Sequence, residues 1–138
     1  MTKLLHELSG NPLGHQDRAS HHVPIFRHLR LPSVQFDYAN MANARADHAD
    51  FRFATFVGAR LTGASLTGSR LDGADFSGAD LTYADLRDAK LEGANFLGAD
   101  IAGADLRGTD LSKAVNLTAN MIESATTDAL TRFPVEIG

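Results

Sequence analysis

Ser, His and Asp, the side chains of hydrolytic triads, all occur in the sequence. They do not form a Gly-x-Ser-x-Gly nucleophile elbow or a His-Glu-x-x-His zinc motif, and no Gly-rich loop could cradle a phosphate. The chain contains no Cys, which excludes disulfides, thiolate zinc sites and thiol catalysis. We therefore predict that the protein is not an enzyme and that it has no catalytic residues and no cofactor.

Four histidines, His15, His21, His22 and His28, lie close together near the N-terminus. Imidazoles on one polar segment could gather a transition metal. Their spacing matches no metal-binding motif, however, and histidines on a polar segment are more often simply at the surface. The sequence therefore predicts no metal site.

Five aspartates, Asp75, Asp80, Asp85, Asp100 and Asp105, are separated by multiples of five residues. Carboxylates gathered on one surface could bind a partner electrostatically. An interval of five fits neither the 3.6-residue period of a helix nor the two-residue period of a strand. Whether these aspartates share a surface therefore depends on the elements that carry them.

A five-residue repeat runs through most of the chain. From Ala39 onward a small residue recurs at every fifth position, usually Ala, with Ser69 and Thr109 as the exceptions. A large apolar residue follows two positions later, and only Ala46 breaks that series. Nine of the twelve Gly occupy a third fixed position, which indicates a turn with positive φ.

Residues 34–115 follow the pattern Ala-[Asp/Asn/Arg/Ser]-[Leu/Phe]-x-Gly, as in Ala-Asp-Phe-Ser-Gly at 74–78. This pattern closely resembles the pentapeptide repeat family. The resemblance implies an all-β fold, a right-handed quadrilateral β-helix in which four pentapeptides form one coil and the small and large residues point inward. We expect about four to five coils at a strand spacing of about 4.8 Å, and hence a rod roughly 20 Å long.

The phenylalanines support four repeats per coil, because Phe residues recur at intervals of twenty and would stack directly. The other three faces give similar interior columns. The predicted core comprises Phe36, Phe56, Phe76 and Phe96 on one face, Leu61 and Leu81 on the second, Leu66 and Leu86 on the third, and Leu71 and Leu91 on the fourth.

Both ends depart from the repeat. We predict that residues 1–33 form an irregular, His-containing arm, within which Phe26 and Leu31 fall in phase with the repeat and suggest a degenerate first coil. Residues 116–138 are expected to form a short helical cap and a tail, with Thr118 as the N-cap. The apolar tail residues either cover the last coil or form a homodimer contact; they are Leu130, Phe133, Val135 and Ile137.

The resemblance also implies a function for acidic surfaces, since several pentapeptide repeat proteins of this shape mimic duplex DNA and occupy the DNA site of gyrase, a type II topoisomerase. A duplex carries one negative charge per about 1.7 Å, so a short mimic needs on the order of a dozen uncompensated acids. Residues 36–115 contain twelve acids but also eight bases. Asp is moreover common at this repeat position for structural reasons. DNA mimicry through Asp80, Asp85, Asp100 and Asp105, with Asp75 beside them, is therefore our alternative hypothesis.

Our leading hypothesis is a non-catalytic protein-binding or scaffold solenoid whose protein partner is not identified by the sequence. Val57 and Leu97 would lie outward on the Phe face and offer a small docking surface. The net charge of −4 and the lack of a long apolar run predict neither direct nucleic-acid binding nor membrane insertion. The N-terminal residues do not read as a signal peptide, so we expect a cytoplasmic protein.

Overall fold

The computed structural model describes residues 23–137. Parallel backbone bridges join residues twenty apart, beginning with Ile25 and Arg45 and continuing to Asn95 and Val115. Each bridging residue is separated from the next by five residues, so the chain turns four corners before it returns over itself. The result is a four-sided solenoid built from single-residue bridges instead of long strands.

We refer to residues 24–43, 44–63, 64–83 and 84–103 as coils 1 to 4. The four sides are named by their interior columns: face 1 contains Phe36, face 2 Met41, face 3 Ala46 and face 4 Phe51. Along each face a central residue donates its N–H to a carbonyl of the next coil, as in the 2.7 Å bond from Phe36 to Thr55. These bonds run parallel to the solenoid axis and tie each coil to the next.

The interior is filled by side chains. Every core residue predicted from the sequence is buried with at most 1% exposure. On face 1 the Phe rings stack, with centroids 5.0 Å apart for Phe56 and Phe76 and 5.4 Å apart for Phe76 and Phe96. Such burial of large apolar side chains is the main favourable contribution to folding.

Ala46, the exception in the large-residue series, is compensated by its neighbours. Phe26 precedes it by twenty residues and is fully buried at the N-terminal end of face 3. The Phe26 ring lies 5.3 Å from that of Phe36 and 5.7 Å from that of Phe51. A small residue beneath a cluster of three rings leaves room for them, so coils 1 and 2 are packed around an aromatic cluster.

The corners are turns in which the small residue donates its N–H to the preceding central carbonyl, as Ala39 does to Phe36 at 3.0 Å. The residue before the small one has positive φ at every repeat from Tyr38 to Gly108. This conformation was predicted from the glycines, but Tyr38, Asn43, His48 and Phe53 also adopt it, with φ between 57° and 62°. Non-glycine residues in this region carry steric strain, which the surrounding ladder must offset.

The ladder extends beyond the predicted limits of 34–115. Its first bridge involves Ile25, because Phe26 supplies the core side chain that residues 24–28 need to continue the solenoid. At the other end, Asp105 bridges to Thr126 and Asp110 to Arg132. Residues 24–33 are therefore part of coil 1, and the ladder continues into the C-terminal segment.

Helix α1, Ala119–Ser124, begins after the N-cap Thr118, whose side chain accepts the N–H of Met121 at 3.1 Å. The helix lies between the face 1 bridge of Val115 and the face 3 bridge of Thr126. It therefore replaces the pentapeptide expected on face 2, above Ile101. Met121, Ile122 and Ala125 are partly buried against the core. Within residues 23–137, no helix is long and apolar enough to cross a membrane.

Candidate functional site

The five aspartates singled out in the sequence stabilise turns. Each lies just before a central core residue, and its carboxylate accepts the backbone N–H two residues further on, at 2.9 to 3.1 Å. Asn40 and Asn95 make the same bond with their amide oxygens. An acceptor at this position therefore serves the fold, whether it is charged or neutral.

On face 3 the acidic residues are also paired with arginines. Arg87 binds Asp85 with its Nη2 at 2.7 Å, and Arg107 binds Asp105 at 2.6 Å. The Arg87 side chain also approaches Asp105 at 3.8 Å. The hydrogen bonds from Arg87 and Arg107 lower the pKa of Asp85 and Asp105, respectively, which keeps both carboxylates ionised. Much of the negative charge on this face is thus neutralised.

Face 2 retains more of its negative charge. Asp80 and Asp100 bridge to one another in adjacent coils, and neither forms a salt bridge within residues 23–137. Hydrogen bonds from the Thr82 hydroxyl and N–H lower the pKa of Asp80. Arg60 precedes Asp80 in the same column. The solenoid therefore separates the five aspartates onto three faces, with Asp75 on face 1.

Face 1 is the least charged side of coils 1 to 4. Between residues 34 and 98 its outward positions carry two charges, those of Asp37 and Asp75. Of the two predicted docking residues, Leu97 is 57% exposed, whereas Val57 is only partly accessible. The corners of this face carry Tyr38 and Phe53, which are 79% and 63% exposed. Both occupy the outward turn position that Gly fills in later coils, so their exposure is expected from the repeat.

The C-terminal tail presents apolar side chains to solvent. Leu130 is 74% exposed and Val135 is 99% exposed. The side chains of Leu130 and Val135 therefore do not cover the last coil, whereas Phe133 and Ile137, at 39% and 38% exposure, are more than half buried. Thr131 is buried there instead, and its hydroxyl donates to the Leu106 carbonyl at 3.1 Å. The ladder bond from Leu111 to Arg132 fixes the backbone of this segment.

A polar groove of about 460 Å³ lies at the corner between faces 3 and 4, in coils 1 to 3. It was not predicted from the sequence, although three of its four Arg and Asp residues share one column at intervals of twenty. The column contains Arg30, Asp50 and Arg70 in successive coils. The stacked imidazoles of His28 and His48, with centroids 5.4 Å apart, border the same groove.

Within residues 23–137, no group of three or more His, Cys, Asp or Glu side chains is arranged to hold a metal ion. His28 lies at a corner and stacks on His48 at an interplanar angle of 8°. His15, His21 and His22 fall outside the described residues.

The sequence matches the family described as pentapeptide repeats, with eight copies, over residues 30–68, 59–96 and 79–115. These segments span more than half of the chain, and the chain therefore belongs to the pentapeptide repeat family. No curated protein matches the sequence.

Solved structures of similar proteins include HetL from the cyanobacterium Nostoc sp. strain PCC 7120, a pentapeptide repeat protein involved in heterocyst differentiation regulation. It is 28% identical over 82% of this chain, with a TM-score of 0.49, and this chain spans 61% of its length. Rfr23 from the cyanobacterium Cyanothece 51142 is 23% identical, with coverages of 80% and 90% of the two chains and a TM-score of 0.39. Full-length QnrB1, a plasmid-mediated fluoroquinolone resistance protein, is 20% identical, with coverages of 82% and 71% and a TM-score of 0.29.

Proposed function

We propose that this chain is a non-catalytic, protein-binding scaffold that presents face 1 to a protein partner. The observation that carries the proposal is the exposure of Tyr38, Phe53 and Leu97 on and beside the face with the fewest charged residues. Aromatic residues are enriched, and charged residues depleted, at the centres of protein interfaces. The filled interior keeps this surface rigid, which lowers the entropic cost of binding.

Site-specific photo-crosslinking tests the proposal. A photoreactive amino acid at Leu97 is expected to capture a defined partner in cells of the native organism. The same amino acid at Arg107, which occupies the equivalent repeat position on face 3, serves as the control. We expect Leu97→Asp to reduce co-purification of that partner at least tenfold, while Arg107→Ala has little effect. Equal capture from both positions would contradict the assignment to face 1.

The alternative function is binding to a type II topoisomerase through an acidic, DNA-like surface. Its support is the Asp80 and Asp100 column on face 2, which lacks a salt bridge within residues 23–137. The arginine pairs of Asp85 and Asp105 reduce the acidic area on face 3. A supercoiling assay with purified gyrase separates the two hypotheses, since the alternative fails if micromolar protein neither inhibits gyrase nor protects it from a quinolone.

We further propose that the C-terminal end forms a homodimer contact. The exposed side chains of Leu130 and Val135 lie at an open end of the ladder, where a second copy would bury them. Sedimentation equilibrium should give a concentration-dependent dimer that the double variant Leu130→Asp/Val135→Asp dissociates. Leu97→Asp is the matched control and should leave the dimer intact. A monomer at all concentrations would refute this contact.

The position of α1 supports a role as a cap over face 2, because Met121 and Ile122 pack against the core where the ladder is interrupted. We also propose a cytoplasmic location, which imaging of a tagged full chain would test.

A further inference from the structure

The groove between faces 3 and 4 concentrates positive charge. Three guanidinium groups line it, from Arg30, Arg52 and Arg70, against the single carboxylate of Asp50. Neither Arg30 nor Arg70 forms a salt bridge within residues 23–137. The groove therefore carries an excess of about two positive charges over its acidic residues before any imidazole is counted.

The carboxylate of Asp50 is already used by its neighbour. Arg52 donates from Nε to Oδ1 at 2.9 Å and from Nη2 to Oδ2 at 2.7 Å, and its backbone N–H donates to Oδ1 at 3.2 Å. The side-chain bond from Arg52 lowers the pKa of Asp50, which is 8% exposed. Asp50 thus holds Arg52 in place with both of its carboxylate oxygens, and its attraction to Arg70, which also lowers its pKa, involves no direct hydrogen bond.

The two remaining arginines have a defined spacing. Arg30 and Arg70 each bridge to Asp50, one from the coil before and one from the coil after. With coils about 4.8 Å apart, their backbones are separated by roughly 10 Å. Arginine side chains anchored at this separation can both reach a ligand that carries two linked phosphate groups, and the planar guanidinium matches phosphate oxygens in a bidentate arrangement.

His28 and His48 add N–H donors at the edge of the groove. Both have positive φ, 60° and 57°, and the backbone of the turn therefore fixes the positions of their Cβ atoms. Their rings are stacked, and a Cβ placed on Gly68 would lie 2.5 Å from the His48 ring. The ring consequently lies flat against the following coil.

We propose that this groove binds a small ligand through its diphosphate group, with Arg30 and Arg70 as the phosphate-binding residues and His28 and His48 as additional donors. The groove volume of about 460 Å³ lies within the range of small-molecule sites. The diphosphate is either inorganic or part of a nucleoside diphosphate. Both share the chemistry that the arginines recognise.

Calorimetric titration of the full chain with inorganic pyrophosphate and, separately, with ADP tests the proposal at low ionic strength. We expect saturable binding at one site per chain for at least one of these ligands. A tenfold tighter affinity for ADP than for pyrophosphate would assign the nucleotide, whereas equal affinities would assign the diphosphate alone. Adenosine is not expected to bind. The absence of saturable binding by both phosphate ligands would overturn the proposal.

Matched variants locate the site. Arg70→Gln is expected to weaken binding at least tenfold. Arg60→Gln removes the same charge from the equivalent repeat position on face 2 and should change affinity less than twofold. His48→Gly should weaken binding severalfold without loss of stability, since glycine adopts positive φ freely. Equal effects of Arg70→Gln and Arg60→Gln would show only general electrostatic attraction and would overturn the proposal.

A 20-base-pair DNA duplex provides a further comparison. A duplex that binds more tightly than either small ligand, and that depends on Arg70, would make the groove part of a nucleic-acid surface. That outcome would likewise overturn the small-ligand assignment.

Discussion

Two glycines in the same column allow the strain of a turn to be separated from the contact made by an overlying side chain. Gly58 and Gly78 have nearly identical φ values of 64° and 65°. A Cβ on Gly58 would lie 2.5 Å from Cε1 of Tyr38, whereas a Cβ on Gly78 would meet nothing closer than the Gly58 nitrogen at 4.0 Å. Alanine substitutions at the two positions therefore share the conformational cost but not the clash.

The expected magnitudes follow from these contacts. Gly78→Ala should lower the free energy of unfolding by about 1 to 2 kcal/mol, the cost of an L-residue at positive φ. Gly58→Ala carries the same cost and also displaces the Tyr38 ring. Because that side chain is 79% exposed and can swing outward, we expect about 1 kcal/mol more, near the lower limit for overpacking.

Urea denaturation followed by circular dichroism measures these differences, and a double-mutant cycle isolates the contact. In the Gly58→Ala background, Tyr38→Gly should restore about 1 kcal/mol of the free energy of unfolding, because it removes the clash. In the Gly78→Ala background, the same substitution should restore none of the lost free energy. Equal destabilisation by the two alanine substitutions, or equal effects of Tyr38→Gly in both backgrounds, would refute the packing of Tyr38 over Gly58.

Three further predictions concern the core, the turns and the helix. Phe76→Ala should lower the free energy of unfolding by about 3 to 5 kcal/mol because it empties the middle of the ring stack; Leu97→Ala, which truncates an exposed side chain, should cost under about 0.5 kcal/mol, and equal values would invalidate the inward assignment. The lowered pKa of Asp50 contributes stability that is present above its ordinary value of 3.8 and is lost as the pH falls through the lower folded-state value. Urea titrations between pH 7 and pH 2 should therefore show an acid-dependent loss that Asp50→Asn reduces, since Asn keeps the turn acceptor but does not ionise; an unchanged pH profile would contradict this. Thr118→Ala should destabilise the protein by about 1 kcal/mol through loss of the N-cap of α1, and Thr118→Ser should restore most of it in the same denaturation assay.

Much of the fold can be predicted from the sequence because the repeat is short and its physical requirements are strict. Each pentapeptide needs a small residue and a large residue facing inward, and the chain shows both at fixed intervals. The Phe column and the positive φ of the turn position follow directly. The C-terminal limit of the ladder does not, since Thr126 and Arg132 pair with Asp105 and Asp110 although their segment lacks the repeat pattern.

The roles of the charged residues depend on which side chains the coils bring together. The sequence places Asp85 and Arg87 two positions apart, but it does not show that the Arg87 side chain forms its salt bridge with Asp85 of the same repeat. Likewise, Arg30, Asp50 and Arg70 are twenty residues apart, but the side-chain hydrogen bonds of Asp50 are made with Arg52 and with neither column neighbour.

The sequence by itself determined the period, the interior columns and the turn position, because these depend on residue size and backbone conformation at each repeat. Tertiary structure alone decided which surfaces remain charged and where a groove forms. Those properties arise from contacts between coils, because a long side chain can reach several possible partners at similar distances. The core is therefore determined by the residues within each repeat, whereas the candidate binding surfaces are determined by which side chains the stacked coils bring together.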